Sequence, residues 1–295
     1  MKNKLQGIIA LLVATVIWGS AFIAQSVGME YIEPFTFQTV RCFLAVLFLI
    51  PIVFLFETNK KDYVKKWMNP HLWKTGIVCG AALFVAAGLQ QVGLVYTTSG
   101  KAGFITAMYI VLVPILGLFF KNKPSPAAWV SVLLAVAGLY LLSFVGENRI
   151  NFGDLCLLGC ALGFAVQITL VDRLAGALDG LRLNCIQSLV CAILSAIMMA
   201  FTETPEIQNI ASCWLPLGYA GILSMGVAYS LQIIGQKHVE PTPASLIMSL
   251  ESVFAALFGW LLLNETMTSH QQQGCALVFA AVILSQIPRK AKTTG

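Results

Sequence analysis

Two ionisable side chains, Arg41 and Glu251, sit inside long apolar stretches of this sequence. A charge in hydrocarbon is costly, so such a group faces a polar interior, pairs, or reaches for the interface, and it is a functional candidate by default. At helical rise Arg41 lies roughly 9 Å from the outer end of its stretch, and Glu251 roughly 10 Å from the inner end of its own. Out of about 30 Å of hydrocarbon that leaves on the order of 11 Å between them, too much for a direct ion pair. Arg41 has two readings: it snorkels along its aliphatic stem to the headgroups, or it faces a cavity as a gate or as the holder of a carboxylate. Glu251 is shorter and cannot reach as far. Its readings are a group that exchanges a proton in a cavity and a structural hydrogen bond to a neighbouring helix.

The other polar residues at comparable depth are mostly amides: Gln25, Gln38, Gln90, Gln91, Gln167, Asn184, Gln187, Gln232 and Gln236. An amide in hydrocarbon must bond to a neighbouring helix or face a wet cavity. Near them fall Trp18, Phe164, Tyr109 and Tyr229, flat rings able to wall a pocket for an organic solute. The candidate solute-binding residues are therefore Trp18, Gln90, Tyr109, Phe164, Gln167, Tyr229, Gln232 and Glu251. Arg41 and Gln187 are the candidates for gating or for a substrate carboxylate, and Glu251 for proton coupling.

Several chemistries lack their residues. There is no Gly-x-x-x-x-Gly-Lys-Ser/Thr run to cradle a nucleotide phosphate, and no His-Glu-x-x-His or Gly-x-Ser-x-Gly. His71, His238 and His270 all fall near the ends of apolar stretches. The 8 cysteines match neither a disulfide framework nor a zinc site and read as packing residues. Neither an enzyme nor a cofactor or metal site is expected.

The elements that must hold these residues follow from composition. With 295 residues, 58% apolar and 11% charged, the chain is far from the roughly one-quarter charged residues of a soluble domain. Ten stretches are long enough, or nearly so, to cross a bilayer as helices. They lie near Leu5 to Val27, Phe35 to Phe56, Thr75 to Val95, Ala102 to Phe120, Ala127 to Val145, Leu155 to Val171, Leu183 to Phe201, Trp214 to Ile234, Ala244 to Leu263 and His270 to Ile287. The first, too long for a signal peptide and followed by no small-residue cleavage site, is expected to be retained. Of the 18 Lys and Arg residues, all but Arg41, Lys101 and Arg149 are assigned to one side, which the positive-inside rule makes cytoplasmic, with both termini there. The net charge of +5 thus reflects topology, and no nucleic-acid partner is expected.

The chain also repeats itself. Offset by 146, Leu11 falls on Leu157, Trp18 on Phe164, Gln38 on Asn184 and Arg41 on Gln187. Offset by 142, Gln90 falls on Gln232, Gly93 on Gly235, Tyr109 on Glu251, Pro114 on Ala256 and Asn122 on Asn264. Five spans per repeat is an odd number, so the second copy enters the membrane in the opposite sense. The expected fold is an all-α membrane protein of ten transmembrane helices in two inverted five-helix repeats, residues 1–145 and 146–295. Inverted repeats of this kind build secondary transporters that hold their solute where the halves meet.

The run Pro243 to Gly259 containing Leu250-Glu251-Ser252, then Leu263-Asn264-Glu265 and Gln272-Gln273-Gly274, resembles the ninth and tenth helices of the drug/metabolite transporter superfamily, in its bacterial EamA-type branch. Trp18-Gly19-Ser20-Ala21-Phe22 resembles that family's first-helix signature. The resemblance spans the chain and implies an inner-membrane carrier working by alternating access, with a cavity built from the first, third, fourth, sixth, eighth and ninth helices. It departs at Ser252, where many members have proline, which leaves the bend of the ninth helix open. The expectation is export of small organic metabolites such as amino acids, with membrane lipid and protons as further partners and no signal for oligomeric state. The alternative is a membrane receptor or scaffold that binds a small ligand without moving it.

Overall fold

The computed structural model describes residues 2–57, 60–121, 124–143, 151–263 and 267–286. Among these, all regular structure is helical, and helices occupy each of the ten apolar stretches: α1 Lys2–Gly28, α2 Pro34–Phe56, α3 Pro70–Tyr96, α4 Ser99–Phe119, α5 Pro126–Ser143, α6 Phe152–Leu174, α7 Gly180–Thr202, α8 Trp214–Gln236, α9 in two halves Pro241–Met248 and Leu250–Leu263, and α10 Ser269–Ser285. Eight of them are long and apolar enough to cross a membrane, and α5 and α10 are shorter. The sixth stretch, which the sequence makes short, is a helix of 23 residues. Asn122, Arg149, Asn264 and Glu265 fall outside the described residues.

Local chemistry sets the helix starts. Thr98 accepts from the Lys101 amide, Asp179 from those of Leu181 and Arg182, and Asn151 and Thr268 each form a reciprocal capping box. Pro34, Pro70 and Pro241 occupy first turns, where a missing N–H costs nothing. The outer faces carry Leu47, Leu55, Leu133 and Phe201 exposed, as a lipid-facing surface requires.

The equivalent helices α2 and α7 pack antiparallel. Along α2 and α7, Thr36 meets Glu203, the Cys42 and Cys191 sulfurs lie 3.6 Å apart, and Glu57 meets Arg182. Under the offset of 146, Thr36 corresponds to Arg182 and Glu57 to Glu203, so the two ends of this pair carry one contact, exchanged between the halves. Glu203 accepts from the Phe35 and Thr36 amides at 2.7 and 2.6 Å and from the Thr36 hydroxyl at 2.8 Å. Glu57 accepts from the Arg182 guanidinium at 2.5 Å.

Close helix approach repeats in the same way. A Cβ on Gly93 of α3 would lie 2.6 Å from Leu157 and 3.1 Å from the Gly153 carbonyl of α6. One on Gly235 of α8 would lie 2.7 Å from Leu11 and 2.9 Å from the Gly7 carbonyl of α1. Only glycine permits these two matched crossings.

Two helices are discontinuous. α4 breaks at Met108 and α9 at Ser249, within one residue of equivalent positions. Pro114 lies further along α4, inside its second half, and α9 breaks with Ala256 in the corresponding place, so this proline is not what interrupts the pair. In α9 the Ser249 hydroxyl bonds back to the Leu246 carbonyl at 2.8 Å, a local bond that competes with the helix ladder. Ser252 leaves the bend in place and donates instead to the Gly103 carbonyl of α4 at 2.9 Å. α8 departs from α-helical geometry differently, with a π-helical stretch over Tyr219–Ala228 that its counterpart α3 lacks.

Candidate functional site

The helices border a partly open cavity that draws on both repeats, with about 480 Å³ of empty space including the solvent at its mouth. Its wall takes Trp18, Phe22 and Gln25 from α1, Arg41 from α2, Gln90 from α3 and Tyr109 from α4. The second half supplies Phe164 and Ile168 from α6, Ser224, Tyr229 and Gln232 from α8, and Met248 and Glu251 from α9. The breaks in α4 and α9 set Tyr109 and Glu251 at the first residues of the helical segments that follow or next to them.

Glu251 is 7% exposed, and its Oε1 accepts from the Tyr109 hydroxyl at 3.1 Å. The two residues that the repeat makes equivalent thus touch across the molecule. Arg41 is 2% exposed, which excludes the snorkelling reading. Its Nη1 donates to Gln25 Oε1 at 2.5 Å, its Nε to Gln38 Oε1 at 2.9 Å, and its Nη2 also to Gln38 Oε1. Among the described residues no carboxylate forms an ion pair with it, Glu251 included. The edge of Trp18 packs against Tyr229, ring centroids 5.0 Å apart.

Gln167 and Gln187, placed at the site by the sequence, do not reach the cavity wall. Both are fully buried behind it in a ladder of amides. Asn184 Nδ2 donates to the Met225 and Gly226 carbonyls, each at 2.9 Å, and so caps groups in the π-helical stretch of α8. Gln187 donates to Asn184 at 2.9 Å, Gln167 to Gln187 at 3.5 Å, and Gln232 to both Gln167 and Gln236 at 3.0 Å. Gln236 closes the ladder on the Ile168 carbonyl at 3.0 Å. Gln90, the repeat partner of Gln232, has among the described residues a single 3.5 Å contact, with the Thr106 hydroxyl.

Phe22, Gln25, Ile168, Ser224 and Met248 complete the wall without having been assigned to it from sequence. Gln25 carried a signal as an amide at depth. Ser224 carried none, because its direction depends on the π-helical stretch.

The profile of the EamA-like transporter family matches residues 5–144 and again residues 151–286. The chain belongs to the EamA-like transporter family. It is 35% identical to an uncharacterized transporter of Archaeoglobus fulgidus over 96% of this chain and 86% of that protein. It is 24% identical to the uncharacterized transporter YoaV of Bacillus subtilis over 97% of each. The threonine/homoserine exporter RhtA of Escherichia coli K12 matches at 32% over 56% of each chain. A chain of known crystal structure superposes with a TM-score of 0.79 over 95% of this chain and 96% of its own, at 18% identity, a likeness of fold. This EamA-like protein is therefore an integral, multi-pass membrane transporter for a small molecule, not an enzyme. Its two matched segments are the two halves that face each other across the cavity.

Proposed function

We propose that this transporter is a secondary active carrier that exports a small zwitterionic solute, an amino acid or close relative, across the plasma (inner) membrane by alternating access. The observation that carries the reading is Arg41, a buried guanidinium on the cavity wall with three of its N–H groups on neutral amides and, among the described residues, no carboxylate paired to it. A buried cation without a counterion is costly, and a ligand carboxylate supplies the missing charge through a bidentate fork. Glu251 faces the same cavity with one oxygen bonded to Tyr109, which leaves the other for an ammonium group. The edge-packed rings of Trp18 and Tyr229 add aromatic faces that favour a cation. Export is supported by the name of the RhtA relatives.

In this reading all ten helices span the membrane, residues 1–145 and 146–295 form the two halves, and both termini are cytoplasmic by the positive-inside rule. Glu251 takes up and releases a proton during the cycle. The test is counterflow of labelled amino acids in liposomes carrying the purified protein. Exchange is expected in the wild type. Arg41→Lys keeps the charge but not the fork and is expected to lose at least about tenfold in apparent affinity, as the loss of a charged hydrogen bond implies. Absence of any amino-acid exchange, or full activity of Arg41→Lys, overturns the reading. Cysteines at the wall, labelled from each side, separate a carrier from a receptor, since only a carrier exchanges inner for outer accessibility.

A further inference from the structure

Between α2 and α3 the chain builds a surface segment far from the cavity wall. After α2 ends at Phe56, a 3-10 turn over Lys60–Asp62 leads into a short helix, Tyr63–Trp67, before α3 starts at Pro70. One face of this segment is pinned to the bundle. Tyr63 packs edge-on against Phe54 in the last turn of α2, ring centroids 5.5 Å apart, and Trp67 packs edge-on against Tyr63 at 6.3 Å. The Arg182 guanidinium of α7 lies over both Tyr63 and Trp67. Lys66 bonds Glu57 at 2.9 Å, and Trp73 Nε1–H, in the first turn of α3, donates to the Trp67 carbonyl at 2.7 Å. These contacts hold the segment level with the end of α2 and the start of α3, where hydrocarbon gives way to headgroups.

The opposite face carries Lys61, Val64, Lys65 and Met68, at the i, i+3, i+4, i+7 spacing of one helical stripe. Val64 is 63% exposed and Met68 73%, and Lys65 is exposed between them. Lys74 is exposed next to Trp73. From Glu57 to Lys74 the sequence holds five lysines against two acids, and one of those acids, Glu57, is buried between Arg182 and Lys66. Exposed apolar groups flanked by cations are badly placed in water and well placed on a membrane surface. There the apolar groups enter the boundary of the acyl chains, and the lysine stems reach along it to the phosphates.

We infer that this face binds the headgroup of an anionic phospholipid, with Lys65 and Lys74 as its cationic contacts and Val64 and Met68 in the acyl boundary. The potential of an anionic leaflet favours such binding by about fivefold per lysine. The occupant is a lipid and not free phosphate, because Val64 and Met68 need an acyl region to enter. Through Tyr63, Trp67 and Lys66 the segment braces the Glu57–Arg182 contact that ties α2 to α7, so a bound headgroup steadies that end of the pair. A lipid site here is independent of which solute is carried.

The experiment follows thermal unfolding of the purified protein in neutral-detergent micelles on addition of phosphatidylglycerol, of phosphatidylcholine with the same acyl chains, or of inorganic phosphate. Phosphatidylglycerol is expected to raise the midpoint about 2–4 °C above phosphatidylcholine, and phosphate to leave it unchanged. Lys65→Gln with Lys74→Gln is expected to lose most of that difference, whereas Lys65→Arg with Lys74→Arg keeps it. Lys4→Gln with Lys121→Gln removes the same charge elsewhere on the basic side and is expected to keep it as well. The difference between lipids is read within each variant, so a general loss of stability does not mimic the result. Equal midpoints in the two lipids overturn the inference, as does a difference that survives the glutamine pair or falls as far in the Lys4 and Lys121 pair. A rise with phosphate alone overturns it too, in favour of a free-anion site.

Discussion

At the scale of single residues, the charges divide into those that hold the fold and those available to a ligand. Arg182 belongs to the first kind. The sequence places it with the cytoplasmic loop charges, yet it is 1% exposed, lies over the rings of Tyr63 and Trp67, and bonds Glu57 and Asp179, each at 2.5 Å. Arg182→Leu takes the buried partner from Glu57, which keeps Lys66 at 2.9 Å, and is expected to cost about 1–3 kcal/mol. Thermal unfolding in detergent measures it, and an unchanged midpoint contradicts the pairing. Glu251 belongs to the second kind. Glu251→Gln keeps an oxygen for the Tyr109 hydroxyl but cannot take up a proton. Exchange by this variant is expected to be weaker, since the ammonium partner is neutralised, and to have lost its pH dependence, which initial rates across a pH series would reveal. A full pH dependence would remove Glu251 from proton coupling.

At the scale of elements, matched crossings carry the architecture. The approach of α3 to α6 at Gly93 and that of α8 to α1 at Gly235 are one contact used twice. Gly93→Val pushes methyl groups into Leu157 and the Gly153 carbonyl, and overpacking of this kind costs about 1–3 kcal/mol or more. A lower unfolding temperature is expected for Gly93→Val and for Gly235→Val alike. Stability retained in both would deny that these crossings are tight. One difference between the halves falls beside the cavity. Among the described residues only α8 has a π-helical stretch, over Tyr219–Ala228, and the second half has Asn184 to hold the carbonyls there. Its counterpart Gln38 serves Arg41 instead.

At the scale of the whole molecule, the antiparallel pairing of α2 with α7 follows from an odd number of helices in each half. With all ten helices spanning, as proposed above, the same count puts both ends of the chain on one side of the membrane. A fluorescent protein fused to the carboxyl end and an epitope tag at the amino end are both expected to report a cytoplasmic location, and protection of either on the opposite side breaks the five-plus-five arrangement. Much of this was legible in the residues. Hydrocarbon excludes unpaired backbone, so apolar length alone marked the helices, and the constant offsets marked the two halves. Arg41, Glu251, Gln90 and Gln232 were found because a polar group at depth must have a reason. What the sequence could not supply was the facing of each helix. Lipid and protein interior are both apolar, so no amphipathic stripe says which side of α6 or α7 turns inward. Only the tertiary structure therefore turned Gln167 and Gln187 away from the cavity, brought Tyr109 onto Glu251, and fixed the sense of every amide behind Gln232, because hydrogen-bond polarity is a property of the assembled network and of no single residue.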